Sequence, residues 1–277
     1  MGASAKLCVF TKSYCKQMTQ VDIEEKTQDF VKASVLAKNT GFDAIEIHSG
    51  HGYLLSQFLS PWTNKRKDEF GGSLENRLRF PVQVIRSIRE ALGPEFPILI
   101  KMNQTDGMRG GIKIEDAVII AKAFEKAGAS ALIPSAGFTS KVPFLMLRGN
   151  LPVKEMSDNQ ENIFNRISLK MFGRLMVPQH HYRPMFQIEG AKKIRDAVKI
   201  PVIYIGGVES INDMKTAMNA GFEFMQIGRA SIQNPDFVRM LENGEITRSD
   251  CDHCNRCVAA MDAGGVYCVS NEIGFLE

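Results

Sequence analysis

The sequence predicts an α/β fold, a TIM-type (β/α) barrel in which about five of the eight β/α units are recognisable. Three observations carry that expectation. Short apolar runs alternate with amphipathic helices, the pattern of parallel strands joined by right-handed crossovers. The phrases AKNTGFDAIEI, FEKAGASALIP and MNAGFEFMQIG share one plan of helix, C-cap glycine and buried strand. The 277 residues are 44 % apolar and 23 % charged, enough to bury a core.

The elements follow in order. Thr19 and Asp22 are spaced as a capping box. Ile23, Thr27, Phe30, Val31, Ser34 and Val35 form one helix face, and Gly41 stops the helix. A strand over 43–48 comes next. The helix in SLENRLRFPVQVIRSIREALG is expected to bend or restart at Pro81, because proline removes a helix hydrogen bond. It leads to a strand over 97–102. A helix over 114–126 ends at Gly128 and feeds a strand over 130–134. Helices near 187–198 and 211–220 precede strands over 201–205 and 223–228. Residues 136–186 show no strong period and read as an insertion after the third strand, where such barrels elaborate substrate loops. The first 18 residues offer one weak strand, LCVF, so three units of a closed barrel are unaccounted for. Residues 1–277 thus read as a single partial barrel domain with a cysteine-rich tail at 251–268.

Composition narrows the partners. A net charge of +3 with mixed signs argues against a dedicated nucleic-acid surface. No apolar run reaches the roughly 18 residues of a membrane span. The start, MGASAKLCVF, is too short in apolar residues for a secretory signal, and Lys6 breaks the myristoylation pattern. A cytoplasmic protein acting on a small molecule is expected. Five strands would leave open apolar edges, a route to pairing with another chain.

The candidate chemistry lies at strand ends. His48, His51 and Tyr53 leave the first strand of the repeat together. Two imidazoles can hold one carbonyl oxygen and a phenol can supply a proton; alone, the same HxxH spacing fits solvated loop histidines or a metal site. Lys101 ends the next strand, where a lysine either snorkels to solvent or places a fixed charge. Gly206 and Gly207, then Gly228 and Arg229, end two consecutive strands; they suit either tight turns or a phosphate approaching the backbone. Cys251, Cys254, Cys257 and Cys268, spaced C-x2-C-x2-C-x10-C, could ligate a [4Fe–4S] cluster or zinc. His180, His181 and Arg183 in the insertion carry no assignment.

The string HSGHGYLLSQFLSPWTNKRKDEFGGSLENRLRF resembles the signature stretch of the Old Yellow Enzyme family, the NADH:flavin oxidoreductases, and the resemblance extends from about Met18 to near Asn271. It implies an FMN-containing barrel that reduces activated alkenes with NAD(P)H. By that resemblance His48 and His51 hold the substrate oxygen and Tyr53 donates the proton. Lys101 contacts the flavin, stabilising its anionic reduced form, while Gly206, Gly207, Gly228 and Arg229 form the FMN-phosphate loops. The cysteine run is similar to the cluster-binding run of larger relatives such as trimethylamine dehydrogenase and dienoyl-CoA reductase. Two other readings therefore stand beside an ene-reductase: an iron–sulfur flavoprotein, and a non-catalytic truncated paralogue.

Overall fold

The structure, a computed structural model, describes residues 1–8, 13–261 and 264–270. In chain order the strands are β1 (Lys6–Cys8), β2 (Ser13–Cys15), β3 (Ile45–Ser49), β4 (Ile98–Thr105), β5 (Ala131–Ala136), β6 (Ile203–Ile205) and β7 (Phe224–Gln226). The helices are α1 (Gln20–Asn39), α2 (Leu54–Leu59), α3 (Leu74–Leu92), α4 (Ile114–Ala127), α5 (Val153–Asp158), α6 (Ile163–Met176), α7 (Ile188–Arg195), α8 (Ile211–Asn219), α9 (Arg229–Gln233), α10 (Phe237–Glu242) and α11 (Arg256–Ala260). All five expected strands form, with ends that shift by a few residues.

The chain divides into two compact units. The first comprises Met1–Lys141, Glu189–Tyr204 and Phe222–Phe224. Its centre is the parallel sheet β3-β4-β5, in which His48 pairs with Lys101 and Lys101 with Ile133. Leu132 makes a further parallel bridge to Val202. Every residue of β5 is buried, as a central parallel strand requires. Ile98, Ile100 and Met102 of β4 are buried too, while Lys101 and Leu99 alternate with them. α1 begins at the expected box, since Thr19 Oγ1 accepts from Asp22 N–H at 3.2 Å and the Asp22 carboxylate accepts from Thr19 N–H at 2.7 Å.

Three expectations change on contact with the structure. α3 runs unbroken through Pro81. Pro81 lies on its buried face with Leu78, Val84, Ile85 and Ile88, so burial offsets the one hydrogen bond that proline cannot make. The LCVF strand becomes half of an antiparallel hairpin, β1 with β2; Val9 and Phe10 lie outside the described residues. The 136–186 segment is not aperiodic throughout, for it holds α5 and α6. Phe164, Ile167, Met171 and Leu175 of α6 keep helical spacing but face solvent, so the period is present without a core to read it against.

The second unit comprises Val142–Ile188, Ile205–Gly221 and Met225–Glu277. Its small core gathers Ala230, Phe237 and Leu241, with Ile211, Met214, Ile227 and Ile246 packed around them. Ser210 caps α8 by accepting from Asp213 N–H, and an antiparallel bridge joins Ser210 to Arg248.

Candidate active site

In the first unit, the turn SGHGY after β3 is fastened from three sides. His51 adopts a left-handed φ of +56°, a conformation that side chains avoid unless held. Asn103 Oδ1 accepts its N–H at 3.0 Å, and Thr139 donates from both N–H and Oγ1 to its carbonyl at 3.0 and 2.9 Å. Asn103 is oriented in turn by Asp106, whose Oδ1 accepts from Asn103 Nδ2 at 2.8 Å. Gly52, with φ +83°, has room for no side chain, because a Cβ there would lie 2.4 Å from the Phe138 ring.

This geometry brings together three of the sequence-predicted residues. The His48 ring centroid lies 4.9 Å from that of His51 and 4.9 Å from that of Tyr53. Tyr53 is 53 % exposed, so its phenol can meet a ligand, whereas His51 is buried. Burial lowers the pKa of both imidazoles. The His48 pKa falls further beside Lys101, and that of His51 is pushed down to about 3 with help from His48 and Lys101. Both rings are thus held neutral near pH 7. His51 Nε2 shares a hydrogen bond of 2.7 Å with Ser135 Oγ, while the buried His48 Nδ1 has no hydrogen-bond partner among the described residues. Lys101, opposite His48 across the sheet, pairs with Glu46 Oε1 at 2.6 Å.

Glu46, Asn103 and Ser135 were not singled out by sequence. Each follows from strand geometry: Glu46 lies two residues before His48 on the same face, and Asn103 and Ser135 sit toward the C-terminal ends of β4 and β5.

In the second unit, Gly206, Gly207, Gly228 and Arg229 line one cavity of about 250 Å³. Gly206 and Gly207 have φ of +124° and +80°, so backbone conformation by itself explains both. Gly228 differs. Its φ is −105°, and an added Cβ would meet no protein atom within 4 Å, leaving bare backbone open to an incoming group. The Arg229 guanidinium donates to the carbonyls of Arg148 (2.8 Å) and Leu147 (2.5 Å) and to Asn255 Oδ1 (2.8 Å), so at least three of its five N–H groups serve the protein. The same cavity is lined by an unpredicted cluster: buried Glu209 accepts from His253 Nε2 at 2.5 Å and from Arg248, and His253 stacks on Tyr182 at 3.4 Å. Of the unassigned insertion residues, His180 accepts the Gly149 N–H at 2.7 Å through its backbone carbonyl.

Cys251, Cys254, Cys257 and Cys268 all line a second cavity of about 160 Å³. Burial pushes the thiols of Cys251 and Cys257 up and that of Cys254 to about 11. Among the described residues, no group of three or more His, Cys, Asp or Glu side chains is poised to hold a metal ion. The thiols have the right chemistry for a cluster without ligating geometry.

The family model described as NADH:flavin oxidoreductase / NADH oxidase matches residues 1–139, half of the chain, including the whole His48–Tyr53 turn and Lys101. The chain belongs to this family. A second model, described as histidine biosynthesis protein, matches residues 183–249, the segment carrying both glycine-ended strands. This family member is 30 % identical over 265 residues to a 4,4'-dithiodibutanoate disulfide reductase of Rhodococcus erythropolis, covering 95 % of the chain and 66 % of that protein. Among solved structures it is similar to a 2-naphthoyl-CoA reductase in complex with 2-naphthoyl-CoA, at TM-score 0.77 and 25 % identity, covering 96 % of this chain and 36 % of that one. An Old Yellow Enzyme homologue from Zymomonas mobilis, at TM-score 0.63 and 20 % identity, covers 90 % of this chain and 62 % of its own, and shares the fold. The chain therefore spans from about a third to two thirds of the length of these relatives.

The fold class is accordingly an incomplete (β/α) barrel of the Old Yellow Enzyme type. One feature fits the family's flavin: the open backbone at Gly228 in the second unit.

Proposed function

We propose that this chain carries the alkene-reducing chemistry of an FMN-dependent NAD(P)H oxidoreductase acting on α,β-unsaturated carbonyl compounds. The observation that carries the reading is the cluster of His48, His51 and Tyr53, with rings 4.9 Å apart at the end of a barrel strand. FMN, when bound, would supply the hydride that adds to the substrate β-carbon. Gly206, Gly207, Gly228 and Arg229, which line one cavity of the second unit, would hold its phosphate. His48 and His51, neutral through burial, donate hydrogen bonds to the carbonyl oxygen without placing a full positive charge beside it. Neutral donors stabilise the developing enolate oxygen and remain donors across the physiological pH range. Tyr53, exposed at the mouth of the turn, gives its phenolic proton to the α-carbon.

Removing only that proton tests the assignment. Tyr53→Phe should slow alkene reduction about 100-fold, the usual size of general-acid catalysis, while flavin reduction by NAD(P)H stays near its original rate. Equal loss in both half-reactions would overturn the role of Tyr53.

The cysteine run favours a second reading, an iron–sulfur flavoprotein, in which Cys251, Cys254, Cys257 and Cys268 take up a cluster. A brown protein holding about four irons per chain would support it. A cytoplasmic setting is supported by five free cysteines among the described residues, and none of the described helices is long and apolar enough to cross a membrane. Association through the open edge of β3, whose only strand neighbour among the described residues is β4, is proposed as the route to an oligomer.

A further inference from the structure

Beside the candidate site, two lysines approach the only tryptophan of the chain, and a third, Lys65, follows three residues after it. Lys6 Nζ lies 3.2 Å from the Trp62 ring centroid and Lys141 Nζ lies 5.6 Å from it. Burial foremost, and then the charges of Lys141 and Lys65, act against protonation of Lys6. No salt bridge engages any of the three among the described residues. Uncompensated like charge on one small surface is unfavourable to itself and attracts anions.

The surface is fastened to the catalytic turn. Trp62 packs edge-on against Phe138 at 5.3 Å, and Phe138 fills the space that a Cβ on Gly52 would need, between His51 and Tyr53. Lys141 follows Thr139, the residue that donates twice to the His51 carbonyl, and Lys141 N–H donates to the Phe138 carbonyl at 3.0 Å. The loop that fixes His51 therefore also carries Lys141 to the indole. Lys6 arrives from the β1–β2 hairpin, outside the signature stretch.

From this placement we propose that Trp62, Lys6 and Lys141 form an anion-recognising platform that selects unsaturated carbonyl substrates bearing a carboxylate or phosphate group. The Trp62 ring, braced from below by the buried Phe138, supports the carbon skeleton, and the ammonium groups hold the anionic end. The inference rests on the reading of His48, His51 and Tyr53 as the carbonyl-binding turn.

Because Trp62 is the only tryptophan, its fluorescence reports the platform directly, whether or not the protein turns over substrate. Titration with 4-oxo-2-pentenoate should give a saturable change in emission, whereas its methyl ester and sodium chloride at matched ionic strength should not. A saturable response to inorganic phosphate would extend the platform to phosphate-bearing substrates; a response to the carboxylate alone would restrict it to acids. The double variant Lys6→Ala/Lys141→Ala, at two exposed positions, should weaken the carboxylate response roughly tenfold or more, the scale of lost charge-assisted hydrogen bonds. In the flavin-loaded protein the ratio of kcat/KM for acid over ester should fall by a similar factor. An identical response to chloride, or an unchanged titration in the double variant, would overturn the platform. Intact fluorescence binding with an unchanged acid-to-ester ratio would overturn its part in substrate selection. Failure of ene-reduction alone would instead count against the catalytic reading.

Discussion

His51 concentrates the physical argument at the scale of single residues. It is buried, its backbone is held in a left-handed conformation, and its ring pKa is driven from 6.5 down to about 3. A depressed folded-state pKa means that the unfolded chain binds the proton more readily. The stability contributed by keeping this ring neutral is therefore complete above pH 6.5 and is lost progressively as pH falls toward 3. One pKa unit corresponds to about 1.4 kcal/mol, so up to ~2 kcal/mol should disappear between pH 6.5 and 5. Urea unfolding of wild type and His51→Gln at pH 7.5, 6.5 and 5 checks this. The wild type should weaken more steeply on acidification, and parallel curves would show that His51 does not carry the dependence. The grouping of His48, His51 and Tyr53 was legible in the sequence because the three leave one strand end within six residues. The engagement of Lys101 by Glu46, and of Arg229 by two carbonyls and Asn255, was not legible. Those pairings depend on which acceptors the fold carries within reach.

Secondary-structure elements set where such residues point. Parallel register places Lys101 opposite His48, and the turn after β3 is tied to the loop after β5 through Thr139. Gly52 is the pivot of that turn. Gly52→Ala adds a methyl group against the Phe138 ring at a position with φ +83°, and should cost about 2–4 kcal/mol through backbone strain and overpacking. Thermal denaturation measures the loss; a variant as stable as wild type would mean that the loop after β5 yields freely. Capping and glycine signals let the sequence locate α1, α4 and α8 closely, because those signals act within a single turn of helix. The restart expected at Pro81 does not occur, for the opposite reason. The burial that keeps α3 continuous comes from residues distant in sequence.

Taken as a whole molecule, the chain presents two compact units, a family signature in the first and a glycine-lined cavity in the second. The absorption spectrum of the purified protein separates the proposed readings. A flavin spectrum without iron matches the ene-reductase, broad brown absorption with about four irons matches the cluster-bearing form, and a colourless protein would exclude both. Sedimentation velocity across a dilution series tests the open β3 edge. Mass should rise with concentration, and Lys substitution of an outward residue on β3 such as Glu46 is unsuitable because it would also release Lys101. A monomer at every concentration would remove edge pairing as the mode of association.

The sequence by itself determined the α/β alternation, the ends of most helices and the residue types of the His48–Tyr53 turn, because each is encoded by neighbours within a few positions. Only the tertiary structure decided which of those residues are buried, neutral or already paired. Burial and hydrogen-bond partners come from strands such as β4 and β5, some 50 to 90 residues away from His51 in the chain. Solvent exclusion and partner geometry are properties of the packed unit, and no local pattern of residues carries them.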